Sequence, residues 1–168
     1  MQEFRVKQLG PFMARLFSSE LFDSFLLESA AVRTNATWSF DGSLNRDFYD
    51  ESEWNDPSVR PYATAAWSGE RAFLRSLIRG RKAPASMDFV LSLKPEYLTK
   101  TITAGGGSEE DAKDISSLKI SVRYDGKSAG IITGVAYKTF TPDKTAEKIW
   151  DKTMSRFLEA HGIDCDEM

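Results

Sequence analysis

Hydrophobic positions recur along this chain with two periods, and the switch between them is clearest from Ala85 to Ile102. Met87, Phe89, Leu91 and Leu93 alternate with Asp88 and Ser92, the period of a strand with one dry face. Pro95 follows, and Tyr97, Leu98 and Ile102 then fall at helical spacing. The stretch therefore reads as a strand running into a short helix, with proline in the first turn, where its missing N–H costs nothing. The start of the chain has the same layout. Phe4 and Val6 alternate with Arg5 and Lys7, Gly10-Pro11 opens a helix, and Phe12, Met13, Leu16 and Phe17 form its apolar stripe.

Between these stretches, residues 25–40 are rich in strand formers. Leu26, Ala30, Val32, Ala36, Trp38 and Phe40 share one parity, which predicts one long or bulged strand, or two strands. Asp41-Gly42 is a hairpin signal, since both residues tolerate positive φ, and a returning strand is expected over Leu44–Tyr49. Residues 50–57 read as an acidic surface loop. A linking helix is expected within 61–80, with Ala66, Trp67, Phe73, Leu74, Leu77 and Ile78 as its stripe and Gly80 as its stop. After the central strand and helix, Gly105-Gly106-Gly107 and the charges beyond it predict a mobile loop over 104–114. Leu118, Ile120, Val122 and Tyr124 alternate into a second Asp-Gly turn at Asp125-Gly126, and a return strand follows over 129–140. A last helix, 142–161, carries Ala146, Ile149, Trp150, Met154, Phe157 and Leu158 on one side.

The order strand, helix, strand, hairpin thus occurs twice. Glu3-Phe4 corresponds to Asp88-Phe89, Phe12-Met13 to Tyr97-Leu98, and Trp38–Gly42 to Val122–Gly126. This predicts an α+β fold of one domain, 1–168, with two β-α-β-β-like half-units at 1–50 and 85–140. The helices would pack on one face of an antiparallel sheet. Two amphipathic units also look alike through patterning alone, so a true pseudo-repeat requires equivalent strand order and direction in both.

Charge and composition narrow the chemistry. Lys and Arg total 22 against 25 Asp and Glu, a net −3, so the chain as a whole exerts no pull on nucleic acid or anionic membrane. One cysteine permits no intrachain disulfide, and no apolar run approaches the roughly 18 residues of a membrane helix. The opening residues lack the layout of a signal peptide, and the expected location is the cytoplasm. His161 and Cys165 are the only histidine and cysteine. Asp164 and Asp166 disfavour the thiolate, and the pair cannot supply a zinc site of the usual type, so a frayed tail is expected there. Gly126-Lys127-Ser128 lacks the upstream glycine and following helix of a phosphate-binding loop. The acidic run Asp47, Asp50, Glu51, Glu53 and Asp56 lacks the calcium-loop pattern and reads as solvated. No metal or cofactor is called for.

The sharper signal is basic. Arg71, Arg75, Arg79 and Lys82 lie at helical spacing on one side of the linking helix, with Arg81 beside them, and no acid interrupts residues 71–82. They could meet phosphates, an acidic partner, or the protein's own acidic loop at 47–56. Trp54 and Tyr62 lie near in sequence, and aromatics with arginine concentrate at binding hot spots. A second stripe, Lys144, Lys148, Lys152 and Arg156, is interleaved with Asp143, Glu147 and Asp151 and reads as i,i+4 pairing.

The runs FMxxL at residues 12–16, LFDSFLLE at 21–28, WSFDGSLNRDFYDE at 38–51, LIRGRKAPASMDFVLSLKPE at 77–96, VRYDG at 122–126 and TGVAYKTFTPDK at 133–144 span nearly the whole chain. In them the chain resembles an uncharacterised protein family of Firmicutes, chiefly clostridial bacteria. The resemblance implies a compact bacterial domain and transfers no catalytic residue. By element order alone, the tandem units also look like the half-repeats of sliding-clamp domains. The expected function is a non-catalytic binding domain with a basic-aromatic surface at residues 54–82, comprising Trp54, Tyr62, Arg71, Arg75, Arg79, Arg81 and Lys82. Its expected partner is an acidic protein or a phosphate-bearing molecule. The alternatives are a small enzyme for a phosphorylated or acidic ligand, and a clamp-like protein associated with nucleic acid.

Overall fold

In the computed structural model, which describes residues 1–168, the core lies on one side of a seven-stranded antiparallel sheet. The strands are β1 (Glu3–Val6), β2 (Phe25–Arg33), β3 (Thr37–Asp41), β4 (Ser86–Leu93), β5 (Ile115–Tyr124), β6 (Ala129–Tyr137) and β7 (Cys165–Glu167). Their order is β3-β2-β4-β5-β6-β1-β7. The helices are α1 (Leu9–Ser18), α2 (Glu51–Trp54), α3 (Trp67–Ile78), α4 (Pro95–Ala104), α5 (Glu109–Lys113) and α6 (Thr145–Ala160).

Alternation places the dry face as the sequence implies. Val32, Met87 and Tyr124 are cross-strand neighbours, as are Ala30, Phe89, Val122 and Ile131, and all belong to one cluster of 32 buried residues. Helices cover this face. Trp67 of α3 and Phe17 of α1 each lie with ring centroids 5.7 and 5.6 Å from Phe89, and Trp150 of α6 meets Phe25. The opposite face carries charge, with Lys119 paired to Glu28 and Arg123 to Asp88.

The element succession does occur twice, but the sheet does not repeat it. In the second unit, β4 and β5 are adjacent and antiparallel. In the first unit, β1 and β2 are separated by β6, β5 and β4 and run in the same direction, joined by a crossover through α1. Strand order and direction therefore differ between the units, and the pseudo-two-fold relation, with the clamp likeness built on it, finds no support in the sheet.

Several local expectations also change. The first hairpin turns at Thr34–Ala36, not at Asp41-Gly42, and Leu44–Tyr49 holds a 3-10 turn at Arg46–Phe48 instead of a strand. Gly42 has no positive φ. It is there because a Cβ would lie 1.7 Å from the Leu27 carbonyl oxygen. Gly126, the same residue in the second Asp-Gly pair, does turn a hairpin, with φ +93°. A bulge between Leu27 and Ser29 shifts the parity of β2, so Phe25 and Leu27 join the core cluster in place of Leu26. The linking helix is shorter than 61–80. Residues 63–66 are extended because Leu27 N–H donates to Ala65 C=O and Ala65 N–H to Gly42 C=O, both at 2.8 Å. The glycine run is a turn into α5, whose first turn Ser108 and Asp111 close with a capping box. The C-terminus is strand β7 on the edge beside β1, where Lys7 bridges Asp164 and Asp166, so the tail is not frayed. No helix is long and apolar enough to cross a membrane.

Candidate functional site

Helix α3 presents its arginines because its other side is anchored. Trp67 is fully buried and donates its indole N–H to Leu16 C=O at 3.1 Å, and Leu74 is buried one face-repeat later. Helical spacing then puts Arg71, Arg75 and Arg79 on one flank of the helix, toward the end of α1. They share a groove of about 410 Å³ with Phe17, Ser18 and Ser76.

The three arginines are not equivalent. Arg71 is half-buried and grips Asp23 with both prongs, Nε to Oδ1 at 3.0 Å and Nη2 to Oδ2 at 3.2 Å. The Asp23 carboxylate pushes the Arg71 guanidinium above its ordinary range. Arg75 and Arg79 are exposed and join no ion pair. The acidic loop does not reach them. Asp50 caps α2, accepting from Glu53 N–H at 2.8 Å, and Asp56 accepts from Ser58. Arg81 and Lys82 lie in the exposed turn that leads from α3 to β4.

The two aromatics belong to other neighbourhoods. Trp54 is sandwiched by Arg60, 3.8 Å above its ring, with Arg46 at 5.2 Å and Tyr49 beside it. Arg60 Nε also donates to Trp54 C=O at 2.8 Å. Tyr62 donates its hydroxyl to Glu96 at the start of α4, and Lys94 stands over its ring. That hydrogen bond pushes the Tyr62 phenol up to about 12 and holds the Glu96 carboxyl below its usual range. The structure thus brings Arg71, Arg75 and Arg79 together and sets Trp54 and Tyr62 apart from them. Arg46 and Arg60, which hold Trp54, carry no periodic signal in the sequence, because loop residues meet by chain reversal and not by spacing.

The histidine and cysteine do not form a pair. His161 Nδ1 lies 2.7 Å from Phe157 C=O. Cys165 is half-buried in β7, and burial, followed by the charges of Asp164 and Asp166, pushes its thiol up to about 11.

These features belong to a compact α+β fold with a single-sided core and a basic helix flank. The family described as "Family of unknown function (DUF5721)" matches residues 15–166, and the chain belongs to that family. No curated protein and no solved structure matches the chain.

Proposed function

We propose that the protein is a non-catalytic binding domain that holds an acidic segment of a partner protein in the groove between α1 and α3. The observation that carries this reading is the pair Arg75 and Arg79. They stand one helical turn apart, exposed and without a carboxylate, beside an Arg71 already fixed by Asp23. Two guanidinium forks, one in the last turn of α3 and one on its C-cap residue, suit carboxylates on a neighbouring chain, because each can bind in two-pronged fashion. An enzyme would need a desolvated carboxylate or nucleophile facing the arginines. Here the two acids whose charge reaches Arg71 do not meet that need: Asp23 is engaged by Arg71, and Glu20 is exposed. A cytoplasmic location is part of the proposal, supported by a single cysteine that leaves the fold independent of disulfides.

The test is calorimetric titration with an octaglutamate peptide at low and moderate salt, alongside a single-stranded oligonucleotide. Binding of the peptide should weaken with salt and fall about tenfold or more in Arg75→Ala/Arg79→Ala, since each charge-assisted contact is worth roughly a factor of ten. Exposed Lys127→Ala should leave it unchanged. No binding at low salt, equal binding by the double variant, or preference for the oligonucleotide would each overturn the proposal.

A further inference from the structure

A second groove, unrelated to the arginine flank of α3, lies between α4 and α6 and encloses about 450 Å³, within the size range of small-molecule sites. Its floor is apolar and built into the core: Phe25 and Trp150 are 2% exposed and Met154 is 1% exposed. Tyr97 and Phe157 form its walls, and Tyr97 is 43% exposed, a large aromatic with no cover. Lys100 and Arg156 stand at its rim, one from each helix. None of the residues around the groove is acidic.

The rim cations are free for a structural reason. Alternating charge on α6 leads one to expect that Lys148, Lys152 and Arg156 are paired along the helix. Asp151, three residues after Lys148, and Glu147 face elsewhere, and Glu159, three residues after Arg156, is exposed and forms no ion pair with it. Asp151 meets the N-terminal ammonium at 3.2 Å and accepts from the Thr133 hydroxyl, while Glu147 meets the same ammonium and Lys144. Arg156 is left exposed without a carboxylate, and Lys100 on α4 likewise forms no ion pair. An apolar trough with two unpaired cations on its rim and no acid around it is complementary to a molecule with an apolar body and one anionic end.

We infer that the α4–α6 groove binds an amphipathic carboxylate, an aliphatic chain lying along Phe25, Trp150 and Met154 with its carboxylate between Lys100 and Arg156. Binding leaves covalent bonds unchanged. It is independent of the acidic-segment reading, and the variants that test the two share no residue.

The probe is decanoate, titrated calorimetrically into the full chain, with decanol as the uncharged comparator and phosphatidylcholine vesicles containing phosphatidylglycerol as the lipid-surface comparator. Decanoate should bind about tenfold or more tighter than decanol, the worth of one charge-assisted contact. Lys100→Ala/Arg156→Ala should bring decanoate down to the level of decanol. Ala104→Trp, at an exposed position beside the groove, should abolish binding of both without touching the core. Lys138→Ala, at an exposed position away from the groove, should leave decanoate binding intact. Equal affinity for decanoate and decanol, no effect of the rim variants, no binding at all, or attachment only to anionic vesicles would each overturn the assignment.

Discussion

Gly105→Ala is the substitution whose consequence the structure specifies most closely. Gly105 follows α4 with φ −84° and ψ 0°, a conformation open to alanine, so the backbone itself does not resist the change. The resistance comes from α6. A Cβ at residue 105 would lie 2.2 Å from Ile149 Cγ2 and 3.2 Å from Ile149 Cβ. Carbon atoms in ordinary contact sit about 3.5 Å apart, so the end of α4 and α6 must separate by about 1.3 Å. Ile149 is 9% exposed and belongs to the core cluster, which limits its freedom to turn away. Overpacking of this kind costs roughly 1–3 kcal/mol, and the loss of glycine's unfolded-state freedom returns about 0.4–1 kcal/mol. The expected net loss is about 1–2 kcal/mol, read from urea midpoints at constant slope. Ile149→Ala alone should cost about 2–4 kcal/mol by leaving a cavity. In Gly105→Ala/Ile149→Ala the new methyl enters the space that the isoleucine vacates. The double variant should therefore be more stable than the sum of the single losses by about 1–2 kcal/mol, a coupling that distant sites do not show. A neutral Gly105→Ala, or single effects that simply add, would refute the argument that this glycine is required by close approach.

Gly42→Ala should be the most destabilising alanine substitution of a glycine, about 3 kcal/mol or more, because its Cβ would meet the Leu27 backbone oxygen at 1.7 Å and break the hydrogen bonds around the bulge. Gly134→Ala, where nothing lies within 4 Å, should be neutral or slightly stabilising, and urea denaturation of the two variants compares them directly. Cys165, with its thiol pushed up to about 11 from an ordinary value of 9.0, should react with a disulfide reagent at pH 8 about a hundredfold more slowly in the folded chain than in urea. The fold favours the protonated thiol, so this contribution to stability is present below pH 9.0 and lost as pH rises toward about 11; equal folded and unfolded rates would refute the shift.

The sequence carried the burial pattern well. The alternation in residues 87–93 and 118–124 appears in the core, as does the stripe of α6 apart from the half-buried Phe157 packed against it, since each is set by which side of a local element is dry. It carried the candidate site in part. Arg71, Arg75 and Arg79 share a flank because helical spacing alone puts them there. Arg71 is distinguished from the other two by Asp23, 48 positions away, and no local pattern announces that contact. Trp54 and Tyr62 lie close to the arginines in sequence, yet the extended segment at 63–66 and its bridges to Leu26 and Ser43 separate them from α3.

By itself, then, the sequence determined the α+β character, the dry side of most strands and helices, and the absence of acids from the arginine flank of the linking helix. Tertiary structure alone decided which strands are neighbours. The two β-α-β-β runs read alike, yet one places its first strands side by side and the other sends β1 across three strands to pair with β6 and β7. It also decided what each glycine is for: the two Asp-Gly pairs are the same dipeptide, but Gly126 turns a hairpin and Gly42 admits a passing carbonyl. The division has one physical cause. Periodicity records how a residue relates to its own helix or strand, whereas strand order, ion pairs and close approaches depend on distances between segments far apart in the chain.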